Sequence, residues 1–370
     1  MKKYKILFTI PNFDTAGSGK AMLKIAQRLD KNLFEPHIAC THNKGVFFKT
    51  VEESGIPIHI YPYFHSMSSK LKGALKSWQN RKFFKPYDLV HSFHYSDDYS
   101  EALSSKFAGT PWVYVKKNMN WNSNAWNLRT RLSTAIVAQN TDMIKQFFKN
   151  DERVSLIPRG VDTQEFKPQE TSDSLLKEFN LNKEHKIILL VANLVPVKGV
   201  EFLVNAFESI CNKYTDTVLM IVGDDSHEYA SQLKVNAKYS IDKHRIIFTG
   251  KRPDIKDFQS IAKIFVLPTL NKGRQEGSPV SLLEAMASGT FVLASNVAGI
   301  RDQLSEIPEQ LFEPGDSNSL AIKLEQALNL SDSEIKKAED KQLELIQKYY
   351  TLEIEVKKHE EFYKKALKIK

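Results

Sequence analysis

The 370 residues are 42% hydrophobic and include 22 Phe, 13 Tyr and 4 Trp, which excludes disorder as the main state and predicts two domains with ordinary cores. Two distant cysteines, Cys40 and Cys211, exclude a disulfide scaffold and a cysteine metal cluster, and predict a reducing compartment. The net charge of +8 is uneven: residues 1–165 hold 24 Lys and Arg against 14 Asp and Glu, whereas the remainder holds 28 against 30. The first half therefore expects an anionic partner, namely lipid headgroups, nucleic acid or an acidic substrate.

In chain order, short β-branched apolar runs fall at 5–10, 36–40, 57–61, 88–92, 112–115, 135–138 and 154–158. They resume at 186–191, 217–222, 245–248, 264–267 and 291–294. Runs without polar alternation suit strands covered on both faces, and the longer segments between them have helical patterns. The fold class expected is α/β, with two Rossmann-like, doubly wound domains facing across a cleft. The break falls in Gly160–Pro168 and the polar stretch up to Glu184. That gives an N-terminal domain over 1–165, a C-terminal domain over 166–345, and a helix over 346–370 crossing back to the first domain.

The N-terminal apolar run spans only residues 6–10 and stops at Pro11-Asn12, the length of a strand. No stretch approaches the roughly 18 apolar residues of a spanning helix. The expected location is the cytoplasm.

In open parallel sheets ligands bind beyond the carboxyl ends of strands, and there the unusual residues cluster. Glu276-Gly-Ser-Pro-Val-Ser-Leu-Leu-Glu284-Ala-Met-Ala-Ser-Gly289 follows the run ending at Leu267-Pro268. Gly277 and Ser278 permit close backbone approach, Pro279 suits a first helical turn, and the apolar face begins at Val280. Such a helix start presents N–H groups and a positive dipole end to a phosphate. Carboxylates nearby suit hydroxyls better than phosphate, so a sugar nucleotide is one ligand that fits; a capped helix with two solvated glutamates fits the spacing equally.

Thr15-Ala-Gly17-Ser-Gly19-Lys20 forms a Gly-rich loop after the first strand. It is not an ATP-binding P-loop, because Asp14 and Ala21 occupy the required Gly and Ser/Thr positions. Nor is it a dinucleotide fingerprint, because Met22 replaces the third Gly. His91 and His94 end the fourth run. Residues 66–85 carry six basic and no acidic side chains, with Leu71, Leu75 and Trp78 at helical spacing. This composition suits a helix on an anionic membrane and equally a helix covering the sheet. Nucleic acid is disfavoured, since no binding motif for it occurs.

The Glu276–Gly289 segment resembles the signature of family 4 retaining glycosyltransferases, with two glutamates separated by seven residues and followed by Ala-Met-Ala and Gly. Ala192–Gly199, Ile157–Asp162, Ile221–Asp224 and Phe248–Lys251 resemble further family blocks in order. The resemblance implies a GT-B fold and a nucleoside-diphosphate-sugar donor, UDP ahead of GDP, with no cofactor and no metal. It implies that Glu276 contacts the donor sugar and Glu284 the ribose. The Gly277, Ser278, Val280 and Ser281 backbone would hold the diphosphate, and Lys198 would neutralise it. Gly250, Lys251 and Arg252 would lie against the base, Gly17 and Gly19 near the phosphates, and His94 on the acceptor side. The acceptor implied is a saccharide or lipid-linked saccharide, in cell-surface polysaccharide assembly.

Two positions depart from the family. Asn193 stands where an Arg is common, and Lys116-Lys117-Asn118 where a His touches the sugar. Lys117, or Lys272 with Arg274, is expected to restore the charge. The alternatives are a sugar-nucleotide epimerase on the same plan and a silent paralogue that stabilises a partner transferase.

Overall fold

The computed structural model describes residues 2–14, 16–94, 96–120, 123–238, 245–273, 275 and 277–369. The chain divides into two units, Met1–Pro158 with Leu352–Lys370, and Arg159–Thr351.

The first unit holds seven strands: β1 (Tyr4–Thr9), β2 (Phe34–Cys40), β3 (Ile58–Ile60), β4 (Leu89–Ser92), β5 (Trp112–Lys116), β6 (Ala135–Ala138) and β7 (Val154–Leu156). They form one parallel sheet in the order β3-β2-β1-β4-β5-β6-β7. Alternate residues feed two cores. Ile6, Phe8, Leu89, Val113 and Val115 enter one, and Leu7, Val90, Trp112, Tyr114 and Ile136 enter the other. This explains the unbroken apolar runs, because both faces of the sheet are dry. The helix Leu352–Leu367 supplies Leu352, Val356, Phe362 and Tyr363 to the first core.

The second unit holds β8 (Lys186–Val191), β9 (Thr217–Val222), β10 (Ile246–Gly250), β11 (Ala262–Leu267), β12 (Phe291–Ser295) and β13 (Leu311–Phe312). Its parallel order is β10-β9-β8-β11-β12-β13. β13 has no counterpart among the sequence runs: two residues pairing Ala294 with Leu311 and Ser295 with Phe312 are too short to show a period. Cys40 and Cys211 are both buried free thiols, one in each unit.

Strand order reverses between β1 and β4 in the first unit and between β8 and β11 in the second. These are the topological switch points, where loops diverge and leave a crevice at the carboxyl ends. Among the described residues, no helix is long and apolar enough to cross a membrane.

Candidate functional site

In the second unit the loops after β8 and β11 are clamped together. The Leu270 amide donates to the Val197 carbonyl at 2.8 Å. Gly199 sits at φ +62°, and a Cβ there would lie 2.2 Å from the Pro268 carbonyl oxygen, so only glycine permits this approach. The single turn Pro196–Lys198 ends at this glycine, which fixes Lys198 at 6% exposure. Gly223, after β9, approaches the Ala192 carbonyl as tightly. Asn193 is exposed on the same loop.

Beyond β11, Gly277, Ser278 and Pro279 are buried and lead into the helix Val280–Ala287. The Ser278 hydroxyl accepts from the Arg159 amide at 3.2 Å and from Gln303 Nε2 at 3.0 Å, and the same Gln303 nitrogen donates to the Pro279 carbonyl at 3.1 Å. Two segments, those of Arg159 and Gln303, thus hold the helix entrance. The N-cap residue, Pro279, makes no side-chain cap bond. The first N–H groups of the helix are the natural place for an anionic ligand. Leu282, Leu283 and Met286 are buried, whereas Val280, Ser281 and Glu284 lie together on the half-buried face. Glu276 and Arg274 lie outside the described residues. Lys272 is exposed.

Gly250 (φ +72°) ends β10, and exposed Lys251 follows it. Arg252 is committed within its own unit, donating to Glu178 at 2.6 and 3.0 Å and to Asp254 at 2.9 and 2.7 Å. These two carboxylates hold the guanidinium pKa above its ordinary range. A pocket of about 340 Å³ lined by Asn182, His185, Lys186 and Lys263 lies at the opposite, amino-terminal edge of the sheet, where parallel strands rarely place ligands.

In the first unit the Gly-rich segment is helical from Ala16 onward, so Gly17 and Gly19 occupy the first turn of the helix Ala16–Arg28. This corrects the expectation of a loop there. Gly19 is buried, and a Cβ on it would press on Phe13 at 3.0 Å and Phe47 at 3.2 Å. Gly17 is exposed, and among the described residues beyond its own turn no atom lies within 4 Å of such a Cβ.

His91, at the end of β4, is fully buried. Its Nδ1 lies 2.6 Å from the Tyr363 hydroxyl, and its ring packs against His359. His94 is 3% exposed, with Phe64 against its ring and Ser96 Oγ 3.3 Å from Nε2. Burial, then the positive charges of Arg129 and Lys117, push its pKa down to about 3. Burial, with His359 and Lys117 in support, likewise holds His91 well below the ordinary value. Both imidazoles are neutral near pH 7.

The pair replacing the family's His splits. Lys117 Nζ donates to the Phe93 carbonyl, which places it beside His94. Lys116 is fully buried, its Nζ 4.0 Å from the Phe147 ring and 4.8 Å from the Trp126 ring, and burial pushes its pKa down to about 7.

Sequence reasoning missed the buried Glu101 and Arg129. Glu101 accepts from Thr9 Oγ1 at 2.5 Å and Ser92 Oγ at 2.8 Å, joining the ends of β1 and β4. Arg129 donates to the Ser96 carbonyl at 2.5 Å, the Asp98 carbonyl at 3.2 Å and Ser92 Oγ at 3.3 Å, which pins the loop carrying His94. Neither residue falls in a motif, so no sequence signal marks them.

Two parallel sheets of this order, each wrapped by helices, define the class as two Rossmann-like α/β units. The chain is a relative of the glycosyltransferases. Glycosyltransferase Family 4 matches residues 15–165, and Glycosyl transferases group 1 matches residues 171–344. The chain is 29% identical over 236 residues to the UDP-Gal:alpha-D-GlcNAc-diphosphoundecaprenol alpha-1,3-galactosyltransferase of Escherichia coli, with 58% of this chain and 59% of that one covered. It spans little more than half the length of curated relatives that it matches, 59% and 55% for two of them. A glycosyltransferase from Rickettsia africae ESF-5 superposes with a TM-score of 0.86 at 20% identity, covering 100% of both chains. Anabaena Alr3699/HepE in complex with UDP and glucose superposes at 0.80 and 18% identity, covering 97% and 99%. At such identities these two likenesses establish the GT-B fold.

Proposed function

We propose that this chain transfers a sugar, with retention, from a nucleoside-diphosphate donor to a hydroxyl of a saccharide or lipid-linked saccharide, in cell-surface polysaccharide assembly. The observation that carries the reading is the pairing, at the ends of adjacent strands β8 and β11, of a buried lysine with a helix start. A departing diphosphate gains negative charge. An ammonium and aligned N–H dipoles fixed beforehand stabilise that charge more in the transition state than in the ground state. UDP is assigned ahead of GDP because the Escherichia coli relative is a UDP-Gal enzyme and the Anabaena structure holds UDP.

Lys198 and the amides from Gly277 to Ser281 would bind the diphosphate. Glu284 would accept from the ribose hydroxyls and Glu276 from those of the donor sugar, the last by sequence resemblance alone. As the bond from the anomeric carbon to the diphosphate oxygen breaks, the acceptor oxygen attacks from the same face. Its proton passes to the departing phosphate oxygen, which becomes the base. His94 is too weakly basic for that task; as a neutral imidazole it would orient the acceptor by hydrogen bonding. Lys117 would add positive charge beside it. The reaction is assigned to the cytoplasm, a reducing compartment suited to two free buried thiols.

The test is a thermal-shift screen of UDP-, GDP- and ADP-sugars followed by turnover on saccharide acceptors. UDP-sugars should stabilise the chain, and Lys198→Ala should lower turnover by about 100- to 1000-fold with the melting temperature retained. A sugar altered without acceptor would establish an epimerase instead. Donor binding with no turnover on any acceptor would establish a silent paralogue.

A further inference from the structure

The helix Lys70–Phe84 is built inside out. Its buried face is Gly73, Ser77, Asn80 and Phe84, three small or polar residues and one aromatic. Hydrogen bonds hold that face. The Gly73 carbonyl is 3.0 Å from His65 Nε2, the Ser77 hydroxyl donates to the Ser100 carbonyl at 3.4 Å, and the Tyr61 hydroxyl donates to Asn80 Oδ1 at 3.1 Å. A Cβ at Gly73 would meet Met67 Sδ at 2.6 Å, so the inner face is also closely fitted.

The apolar stripe lies elsewhere. Leu71, Leu75 and Trp78 follow the i, i+4, i+7 spacing of one helical face, and they are 88%, 57% and 50% exposed. Each lies two residues from a member of the buried set, roughly 200° around the helix, so the stripe points away from the sheet. Single exposed apolar residues are ordinary; three in one stripe on a helix with a polar inner face are not. Of the two readings that the composition allows, these three side chains do not follow the one in which they cover the sheet.

Around the stripe, Lys70, Lys72, Lys76, Lys82 and Lys85 are exposed, and the Arg81 guanidinium stacks 3.5 Å from the centre of the Trp78 ring. Residues 66–85 contain no carboxylate. We infer that this face docks on an anionic lipid bilayer, with Leu71, Leu75 and Trp78 entering the boundary between headgroups and acyl chains and the lysines resting over anionic headgroups. Charge complementarity selects this occupant. A second copy across a two-fold axis would set lysines against lysines. Nucleic acid would satisfy the lysines but give Leu71 and Leu75 no apolar counterpart.

The test uses the full chain with vesicles of phosphatidylcholine and of phosphatidylcholine mixed equally with phosphatidylglycerol, read by co-sedimentation at low salt. Binding is expected to the mixed vesicles only and to fall as salt rises. Lys72→Gln with Lys76→Gln and Lys82→Gln should lose roughly 100-fold in partitioning. Leu71→Asn with Leu75→Asn should lose at least about tenfold. All five side chains are exposed, so melting temperatures should match that of the unaltered chain. As a second readout, brominated acyl chains should quench emission that Trp78→Phe removes. Absence from the mixed vesicles, equal binding to both compositions, or full binding by either variant would overturn the inference. A concentration-dependent dimer abolished by Leu71→Asn with Leu75→Asn, without vesicle binding, would put a second copy on this face instead. No donor or acceptor enters the assay, so its failure leaves the proposed transfer standing.

Discussion

His94 and His91 show how burial decides the chemistry of a side chain. Both are neutral in the folded chain, His94 down to a pKa of about 3, while an unfolded histidine titrates near 6.5. Below pH 6.5 the unfolded state binds protons that the native state refuses. Stability is therefore full above about 6.5 and falls with acidification, by up to about 1.4 kcal/mol per pH unit for each histidine. Urea unfolding between pH 7 and pH 5 should show this decline, and His94→Gln should flatten it. An unchanged slope in the variant would disprove the buried neutral state of His94. Arg129 acts through others: it holds the Ser96 and Asp98 carbonyls, and so positions the loop that carries His94. Its positive charge also favours the ionised form of the buried Glu101, so its loss should lower the stability of the first unit.

Glycines decide how the elements meet. At Gly199 a positive φ coincides with a 2.2 Å approach to the Pro268 oxygen, so Gly199→Ala adds backbone strain to a clash with main-chain atoms. A loss of about 2–5 kcal/mol is expected, visible as a lower urea midpoint. Gly17 has open space around it in a helical first turn, and Gly17→Ala should raise stability by up to about 1 kcal/mol. If that turn lies against donor phosphates, the same substitution should nevertheless lower turnover. A stabilised variant with full turnover would remove Gly17 from the site. The entrance of the helix Val280–Ala287 is fixed by the bond between Ser278 and Gln303.

Two units with separate cores should unfold in separable steps, so a single unfolding free energy does not describe the whole molecule. UDP should raise the transition belonging to Arg159–Thr351 more than the other, measured by calorimetry with and without nucleotide. The first unit depends on a segment remote in sequence. Tyr363 is fully buried beside Phe8 and Phe34 and bonded to His91. Tyr363→Ala should therefore lower the first unit's transition, by about 3–5 kcal/mol. A variant that lowered only the second transition would show that the final helix is stabilised elsewhere.

By itself the sequence determined the strands, the two-unit plan and the helix start at Gly-Ser-Pro after a strand, because a strand dry on both faces writes a local apolar run and a helix start writes a local Gly-Ser-Pro. Twelve of the thirteen strands among the described residues leave such a run; β13 is too short to leave one. Only the tertiary structure decided the direction of Leu71, Leu75 and Trp78, the neutrality of His94, the meeting of Glu101 and Arg129 at the Ser92 hydroxyl, and the helical start at Gly17. Periodicity records which residues share a face, but which face meets the core, and how much water reaches a charge, are set by neighbours far away in the chain.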